Sequence, residues 1–545
     1  MAINDKVDAH VSERVVITPD HHAVGDTNAA IENEHNMNVW QSLRFWSKAI
    51  VYSFIISTCV IMEGYDTSLM NKFFAFQPFR NEFGDEVDAD GTRIVSSYWQ
   101  TIILNGTQVG CILGLIINGY VTEWIGYKKT MIGSMMFMIG AIFIPFFSTG
   151  LEMFLVGGII QGLPWGVFQT LAISYAADLC PTHLRAYMTS WINMCWVIGG
   201  LFSTGVLTGL MKDTSQWGYR VPFALQWIWP VPIMLATLLA PESPWWLVRK
   251  GRIEEAKAAL QKTTTPLEGI EFDLDAHIEM MEITNEYEKH ISAGSDYWHL
   301  FRGSDLRRTE VSVMAFITQA LCGVPFMGFG TQFMQGVGLS QDDSFYLTVG
   351  QDCLGLVGCI IAWWIMTRFG RRPIYLVGLS AIFLILFIVG FLGLAPSTNK
   401  SASLAGGIMI ILMTFCFQLS LGPICYSLAA EIPSSRLRAK TVCLSRASYN
   451  CVVFVTNTIM PKMVGKNDWN WGAKGGFFWA GVALVFVFWG YFRLPEPKGF
   501  TYSELDLLFE HNIPARKFTR ETAYALKPAL ADRSYRSDEH AEARI

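Results

Sequence analysis

The stretch ADLCPTHLRA at residues 177–186 returns as AEIPSSRLRA at residues 430–439. Each copy has Ala and an acid, five other residues and then Leu-Arg-Ala, and the copies lie 253 residues apart in a chain of 545. Each copy also follows a long apolar segment. One match of this kind is weak evidence of a duplication, but the chain holds two more at a similar offset.

The two further landmarks repeat in the same order. Pro241-Glu242 matches Pro495-Glu496 at an offset of 254, and Gly126-Tyr127-Lys128-Lys129 matches Gly370-Arg371-Arg372-Pro373 at an offset of 244. In both halves, each landmark follows the apolar segment at the equivalent position of that half. Three matches in order therefore predict that the chain is a duplication of one unit.

The composition indicates a membrane protein. Hydrophobic residues make up 51% of the chain, charged residues only 16%, and the mean hydropathy is +0.31, whereas a soluble protein carries about 25% charged residues. The net charge of −5 argues against nucleic-acid binding. A membrane-spanning helix needs about 20 apolar residues. Twelve stretches qualify, at about 48–70, 98–120, 129–148, 151–176, 187–210, 222–240, 312–335, 345–366, 374–395, 404–430, 440–461 and 475–493.

The duplication and the twelve stretches predict an all-α membrane protein of two pseudo-symmetric six-helix bundles. The expected divisions are a polar tail at 1–44, a first bundle at 45–240, a helical linker at 241–310, a second bundle at 311–494 and a polar tail at 495–545. The polar ends, 1–44 and 504–545, are expected to be largely disordered. Two such halves are typical of a transporter that holds its substrate between them near the middle of the membrane.

An even number of spans places both tails on one side of the membrane. Short loops on the two sides carry equal numbers of Lys and Arg, but the linker adds nine more on the tail side. Both termini are therefore expected in the cytoplasm. The eleven cysteines form no CxxC pair or Cys/His pattern, so no disulfide framework, metal or cofactor is predicted. The sequence contains no nucleophile–base constellation typical of an enzyme.

Charged residues inside a span are expensive and mark candidate functional sites. Glu63 and Asp66 are three residues apart in the first span, so they share a helix face. Two carboxylates on a partly desolvated face should hold at least one proton near neutral pH, which makes them candidates for proton coupling; the alternative is ordinary charges at the outer mouth. Asp352 is either a further proton group or a polar group facing the cavity. Arg446 could pair with Asp66, or hold a carbonyl or a helix end.

Motifs near the span ends resemble those of the sugar porters of the major facilitator superfamily over about residues 45–510. They are Gly64-Tyr65-Asp66, Gly119…Glu123…Gly126-Tyr127-Lys128-Lys129, Asp178…Arg185, Pro241-Glu242-Ser243-Pro244-Trp245-Trp246-Leu247, Gln319…Gly323, Arg368-Phe369-Gly370-Arg371-Arg372-Pro373, Glu431…Arg438 and the segment 495–506. Within the family, residues 193–199 and 431–441 are similar to the fungal α-glucoside (maltose-type) proton symporters. The resemblance implies the major facilitator fold.

The resemblance also implies roles for residues other than the four charged residues inside the spans. Those expected to form salt bridges that latch the halves in the outward-open state are Glu123, Arg185, Glu242, Arg372, Glu431 and Arg438. Those expected to bind sugar are Asn193, Gln319, Tyr426 and Asn450. The chain departs from the family at Gly158, where an Arg that partners the first-span Asp is usual. Ala320, Gly330 and Tyr426 replace larger residues of the cavity, which favours a disaccharide over a hexose.

The function implied by the resemblance is proton-coupled uptake of an α-glucoside such as maltose across the plasma membrane by alternating access. The alternatives are facilitated diffusion, symport of another sugar (a β-disaccharide or a hexose), and a non-transporting sugar sensor. The expected partners are the sugar, protons and membrane lipid, with the protein a monomer. The sequence does not distinguish maltose from trehalose, sucrose, isomaltose or a β-linked disaccharide.

Overall fold

A computed structural model describes residues 43–522, except for gaps at 89–90, 180–181, 214, 266–272, 293–296, 337, 396–399, 435–436, 466, 499, 501–504, 506–507 and 520. Side chains of some further helical residues, Arg185 and Arg438 among them, also lie outside the described part. The N-terminal tail expected to be disordered, residues 1–44, lies almost wholly outside the described residues.

Six spans form the first half. Span 1 consists of the helices Ser47–Ser57 and Cys59–Phe73, and after it come the short helix Gln77–Phe83 and an antiparallel hairpin of the strands Glu86–Val87 and Arg93–Ile94. Spans 2 to 5 are Ser97–Ile125, Tyr127–Ala141 with Phe143–Phe146, Leu151–Leu179 and Thr182–Leu210. Span 6 consists of Trp217–Leu225, the 3-10 turn Gln226–Ile228 and Pro230–Leu239.

The linker and the second half are also helical. The linker has the helices Pro244–Arg249, Ile253–Thr263 and Leu274–Ser292 and the 3-10 helix Tyr297–Phe301. Span 7 is Gly303–Leu321 continued by Val324–Gly328 and Gly330–Gly336, so it begins eight residues before the predicted start of the second bundle at 311. Spans 8 to 12 are Gln341–Arg368, Arg371–Leu392, Lys400–Leu419 with Leu421–Glu431, Arg438–Val464, and Gly475–Arg493 after the 3-10 turn Gly472–Lys474; a last 3-10 turn is Ala515–Lys517.

Eleven helical stretches of the described chain are long and apolar enough to cross a membrane. Span 11 is not among them, although its 27 residues exceed the length required. It is more polar than the others because it carries Arg446 and Asn450 within the membrane-spanning length. The start of span 1, the end of span 12 and the linker lie on one side of the bundle, which we call the terminal face. We call the other side the opposite face.

Glycines allow pairs of spans to approach closely within the first half. A Cβ on Gly64 of span 1 would lie 2.5 Å from the carbonyl oxygen of Trp196 in span 5. Gly110 of span 2 is packed in the same way against the backbone of span 4. Small residues at such crossings let backbones meet, which is how helices pack in a membrane. The close crossing holds span 1, with its carboxylates, against span 5.

The predicted duplication is visible as a repeated cap on the terminal face. Glu242, just after span 6, accepts hydrogen bonds from the backbone nitrogens of Tyr127 (2.9 Å) and Lys128 (3.2 Å) at the start of span 3. Glu496, just after span 12, accepts bonds from the backbone nitrogens of Arg371 (2.9 Å) and Arg372 (3.0 Å) at the start of span 9. In each half a carboxylate thus meets the positive end of a helix.

The start of the C-terminal tail, at residues 508–519, packs on the second bundle, although the tail as a whole is expected to be largely disordered. Leu508 and Phe509 are 0% exposed. Arg308 places its guanidinium 4.7 Å from the centre of the Phe509 ring, and Arg307 donates to the backbone oxygen of Ile513 at 2.7 Å. A few apolar side chains are sufficient to dock this polar segment against the start of span 7.

Candidate functional site: a cavity between the two halves

A cavity of about 270 Å³ lies between the halves. Spans 1, 2, 4 and 5 line it from the first half, and spans 7, 8, 10 and 11 line it from the second. All eight intramembrane residues selected from the sequence lie in its wall: Glu63, Asp66, Asp352, Arg446, Asn193, Gln319, Tyr426 and Asn450. Residues that are far apart in the sequence are therefore brought around one space.

Glu63 and Asp66 are each 2% exposed and are held by amides. Gln169 donates from Nε2 to Glu63 Oε1 at 2.6 Å, while Glu63 Oε2 has no hydrogen-bond partner among the described residues. Gln226 donates from Nε2 to Asp66, and Gln161 donates to Gln226 Oε1 at 3.1 Å. No described Lys, Arg or His comes within 4.0 Å of either carboxylate. Each carboxylate therefore accepts a hydrogen bond from a neutral amide.

Asp352 has a different partner, the ammonium group of Lys72. Lys72 Nζ lies 3.1 Å from Asp352 Oδ2, and the two side chains are 6% and 16% exposed. Lys72 also donates to Ser68 Oγ (2.6 Å), to the carbonyl oxygen of Gly200 (3.2 Å) and to the hydroxyl of Thr204, which itself donates to Asp352. This cluster joins spans 1 and 5 of the first half to span 8 of the second.

The sequence analysis missed Lys72 because it ended span 1 at about residue 70. The helix Cys59–Phe73 continues past that point and places Lys72 on the cavity wall, 5% exposed. The signal was present, since no Gly or Pro separates Asp66 from Lys72. Gln226 was also missed, and it lies in the 3-10 turn that interrupts span 6.

Arg446 lies among aromatic rings. Its guanidinium carbon is 5.2 Å from the ring centre of Tyr449, 5.4 Å from that of Phe316 and 5.7 Å from that of Tyr426, within cation–π range. Its Nη1 donates to the Tyr426 hydroxyl at 3.5 Å. In the described residues its nearest partners are thus aromatic, and the suggested ion pair with Asp66 is not formed in this conformation.

Neutral amides occupy much of the remaining wall. Asn193 of span 5 donates to Gln418 Oε1 of span 10 at 3.0 Å, and Gln319 Nε2 lies 3.5 Å from the carbonyl oxygen of Gly422. Several buried amide atoms of the wall have no partner among the described residues: Gln169 Oε1, Gln319 Oε1, Gln351 Oε1 and Asn450 Nδ2. Such atoms cost free energy unless a ligand or water satisfies them. The wall is therefore suited to a neutral ligand with many hydroxyl groups.

The halves meet across the opposite face. The rings of Phe76 and Phe345 make an edge contact with their centres 5.9 Å apart. Gln335 of the second half donates to the backbone oxygen of Ala75 at 2.9 Å. Together with the Lys72 cluster, these contacts join the first and second halves between the cavity and this face.

Among the described residues, the ion pairs on the terminal face lie within one half, within the linker, or between a half and the linker. Glu123 lies 4.0 Å from Arg249 and 3.7 Å from Lys250, both at the start of the linker. Arg371 lies 2.8 Å from Glu431, within the second half.

The expected latch between the halves stays a prediction. Glu242 caps a helix of its own half, and Arg372 donates to the backbone oxygen of Tyr491 at 2.8 Å in its own half. The side chains of Arg185 and Arg438 lie outside the described residues.

Two duplicated six-helix bundles around a polar cavity define a membrane transporter for a small molecule. Residues 52–509 match the sugar (and other) transporter family. The chain belongs to this family, and the expected sugar-porter membership is confirmed.

Named relatives and solved structures agree with this assignment. The chain is 37% identical to the general alpha-glucoside permease of Saccharomyces cerevisiae over 501 residues, which are 91% of this chain and 81% of the permease. It is 37% identical to the maltose permease MAL31 of the same yeast over 516 residues, 93% of this chain and 84% of that one. A structure of the proton:xylose symporter XylE, of the major facilitator superfamily, matches with a TM-score of 0.68 at 19% identity, covering 85% of this chain and 99% of XylE. The expected major facilitator fold is thereby confirmed.

Proposed function

We propose that the protein carries an α-glucoside such as maltose together with a proton across the plasma membrane, by alternating access. The single observation that carries this proposal is the cavity wall. It combines two buried carboxylates that accept hydrogen bonds from amides with a set of neutral polar atoms that have no partner among the described residues. The first feature suits a proton and the second suits a sugar.

Asp66, assisted by Glu63, is proposed as the proton carrier. A buried charge without a counter-ion is costly, and neither carboxylate has a cation within 4.0 Å among the described residues. Taking up a proton removes that cost, and losing the proton restores it. Asp352 is less suitable, because Lys72 already balances its charge.

Asn193, Gln319, Tyr426 and Asn450 are proposed to contact the sugar. They line the cavity from spans 5, 7, 10 and 11, so both halves would hold the substrate. Amides donate and accept hydrogen bonds, as sugar hydroxyls do. The relatives named as alpha-glucoside and maltose permeases support an α-glucoside as the substrate.

Transport requires the opposite face to open. We propose that the terminal face is cytoplasmic and that the observed conformation is the one closed to the outside. Opening would separate Phe76 from Phe345 and break the Gln335 bond to Ala75. Net uptake follows if the two conformations differ in their affinity for proton and sugar.

The test is to add maltose to transporter-deficient yeast cells that express the protein in weakly buffered medium. We expect the external pH to rise with maltose and to stay constant after an equal pulse of sorbitol. Labelled maltose should enter in parallel. Maltose uptake without a pH change would contradict proton coupling, and no uptake of maltose would contradict the substrate.

Facilitated diffusion is the second candidate. Gly158 stands where the family usually has the arginine partner of the span 1 Asp, and a Cβ there would already lie 2.5 Å from Thr107 Oγ1. The site therefore has no room for that arginine without rearrangement. The pH measurement separates the two functions, because a facilitator equilibrates maltose without moving protons.

A further inference from the structure

A second cavity, of about 230 Å³, lies at the opposite face between the two halves. The short helix Gln77–Phe83 and the start of span 2 line it from the first half; the helix Gly330–Gly336, the start of span 8 and the end of span 11 line it from the second. It shares no lining residue with the central cavity. Its rim includes Glu86 and Asn467, both exposed. We call it the opposite-face pocket.

Four buried polar atoms of this pocket have no hydrogen-bond partner among the described residues. Gln100 is 3% exposed; its Nε2 donates to the backbone oxygen of Val95, and its Oε1 has no partner among the described residues. The same holds for the side-chain atoms Gln332 Oε1, Gln341 Oε1 and Arg80 Nε. Native proteins leave few such atoms unsatisfied. Four of them around one cavity point to a bound ligand.

The central cavity has the same chemical signature. There too, buried glutamine side chains contributed by both halves have amide oxygens without partners, at Gln169, Gln319 and Gln351. If that signature marks a sugar site in the centre, it marks one at the opposite face as well. This step rests on the proposed function.

The wall of the pocket carries three carboxylates, Glu86, Asp88 and Asp468, and Arg80 offsets only part of their charge, so the pocket disfavours an anion. Among the described residues no group of His, Cys, Asp and Glu side chains could hold a metal ion. A hydroxyl both donates and accepts, so it can satisfy either end of a glutamine amide. At about 230 Å³ the pocket is slightly smaller than the central cavity of about 270 Å³.

We infer that the opposite-face pocket binds a sugar ring from outside and thereby holds the transporter closed to the outside. Both halves supply its wall, so the pocket is complete only while the halves meet at this face. A ligand that binds one conformation stabilises it. High external sugar should therefore slow the return to the outward-open state and inhibit uptake.

Binding stoichiometry tests this inference. Purified protein in detergent is dialysed to equilibrium against labelled maltose, and separately against labelled glucose. We expect two maltose molecules per protein in the wild type and one in the variant Gln332→Leu/Gln341→Leu. Gln216→Leu is the matched control, an exposed glutamine of the same face outside the pocket, and it should bind two.

Uptake and heat stability are measured alongside binding. Wild-type uptake should decline at high external maltose, whereas uptake by Gln332→Leu/Gln341→Leu should rise to a plateau. The melting temperature of the double variant should equal that of the wild type, which shows that the variant is folded. One molecule bound in the wild type, or two bound in the double variant, would overturn the inference. If the one molecule bound is lost in Asn193→Ala, the proposed function stands and only the pocket assignment fails. If neither sugar binds, both fail.

Discussion

The helix Cys59–Phe73 carries two kinds of buried charge within one cavity. At its end, Lys72 is paired with Asp352 and bonded to Thr204; we call these three residues the ion-pair site. Earlier in the helix, Glu63 and Asp66 are held by glutamines, and we call this the amide site.

The two sites differ in the partners of their charged groups, and these partners determine what each site can do. At the ion-pair site a cation on one half balances an anion on the other, so the charges stabilise contact between the halves. At the amide site no described cation lies within 4.0 Å of the carboxylates, so a proton can neutralise them there. One site is proposed to join the halves, and the other to carry the proton.

Breaking the ion pair should have the largest effect. Lys72→Met leaves Asp352, whose side chain is 16% exposed, without its cation, which should lower the free energy of unfolding by up to about 3–5 kcal/mol. The variant Lys72→Met/Asp352→Leu removes both charges and should recover most of that loss. Chemical denaturation of the purified protein in detergent measures both. A double variant no more stable than the single would show that the pair does not act as a unit.

Removing an amide donor should have a smaller effect. Gln226→Leu leaves Asp66 without its described donor and should cost about 1–3 kcal/mol of unfolding free energy, the penalty for an unsatisfied buried group. Gln161→Leu is the matched control, because it removes the bond to Gln226 and keeps the one to Asp66. Equal losses in the two variants, in the same denaturation assay, would contradict a special role for the bond to Asp66.

The smallest effect concerns a buried titratable group in the linker. His277 packs against Trp46 with the ring centres 6.2 Å apart, and burial lowers its pKa from 6.5 to about 4. Below pH 6.5 the undocked linker helix takes up a proton and the docked helix does not, so docking is most stable above that pH and weakens towards about pH 4. At about pH 5.5 the loss is about 1.4 kcal/mol, or tenfold in helix opening.

Hydrogen exchange of residues 274–282, corrected for the intrinsic pH dependence, measures this opening. His277→Gln has no ionisable group and should open equally at pH 7.5 and 5.5. The same tenfold rise in that variant would rule out His277 as its cause.

The sequence could predict what depends on local spacing. The two halves followed from repeated landmarks such as Pro241-Glu242, and the shared face of Glu63 and Asp66 followed from their separation of three residues. The placement of eight selected residues around one cavity also agrees with the family resemblance.

Contacts between spans could not be predicted in this way. The pairing of Lys72 with Asp352 depends on where span 1 ends and on how the two halves meet. The setting of Arg446 depends on rings from other spans, Phe316 and Tyr426. The docking of Phe509 depends on a surface of span 7 that the polar composition of the tail does not reveal.

The most direct test of the comparison is the number of protons moved per maltose, measured in proteoliposomes for two variants. We expect Asp66→Asn to lose proton movement, and to equilibrate maltose without accumulating it, while still exchanging labelled for unlabelled maltose. We expect Lys72→Met/Asp352→Leu to keep the wild-type proton-to-maltose ratio even if its rate falls. Proton movement that survives in Asp66→Asn and disappears in the double variant would contradict the assignment of the proton to the amide site.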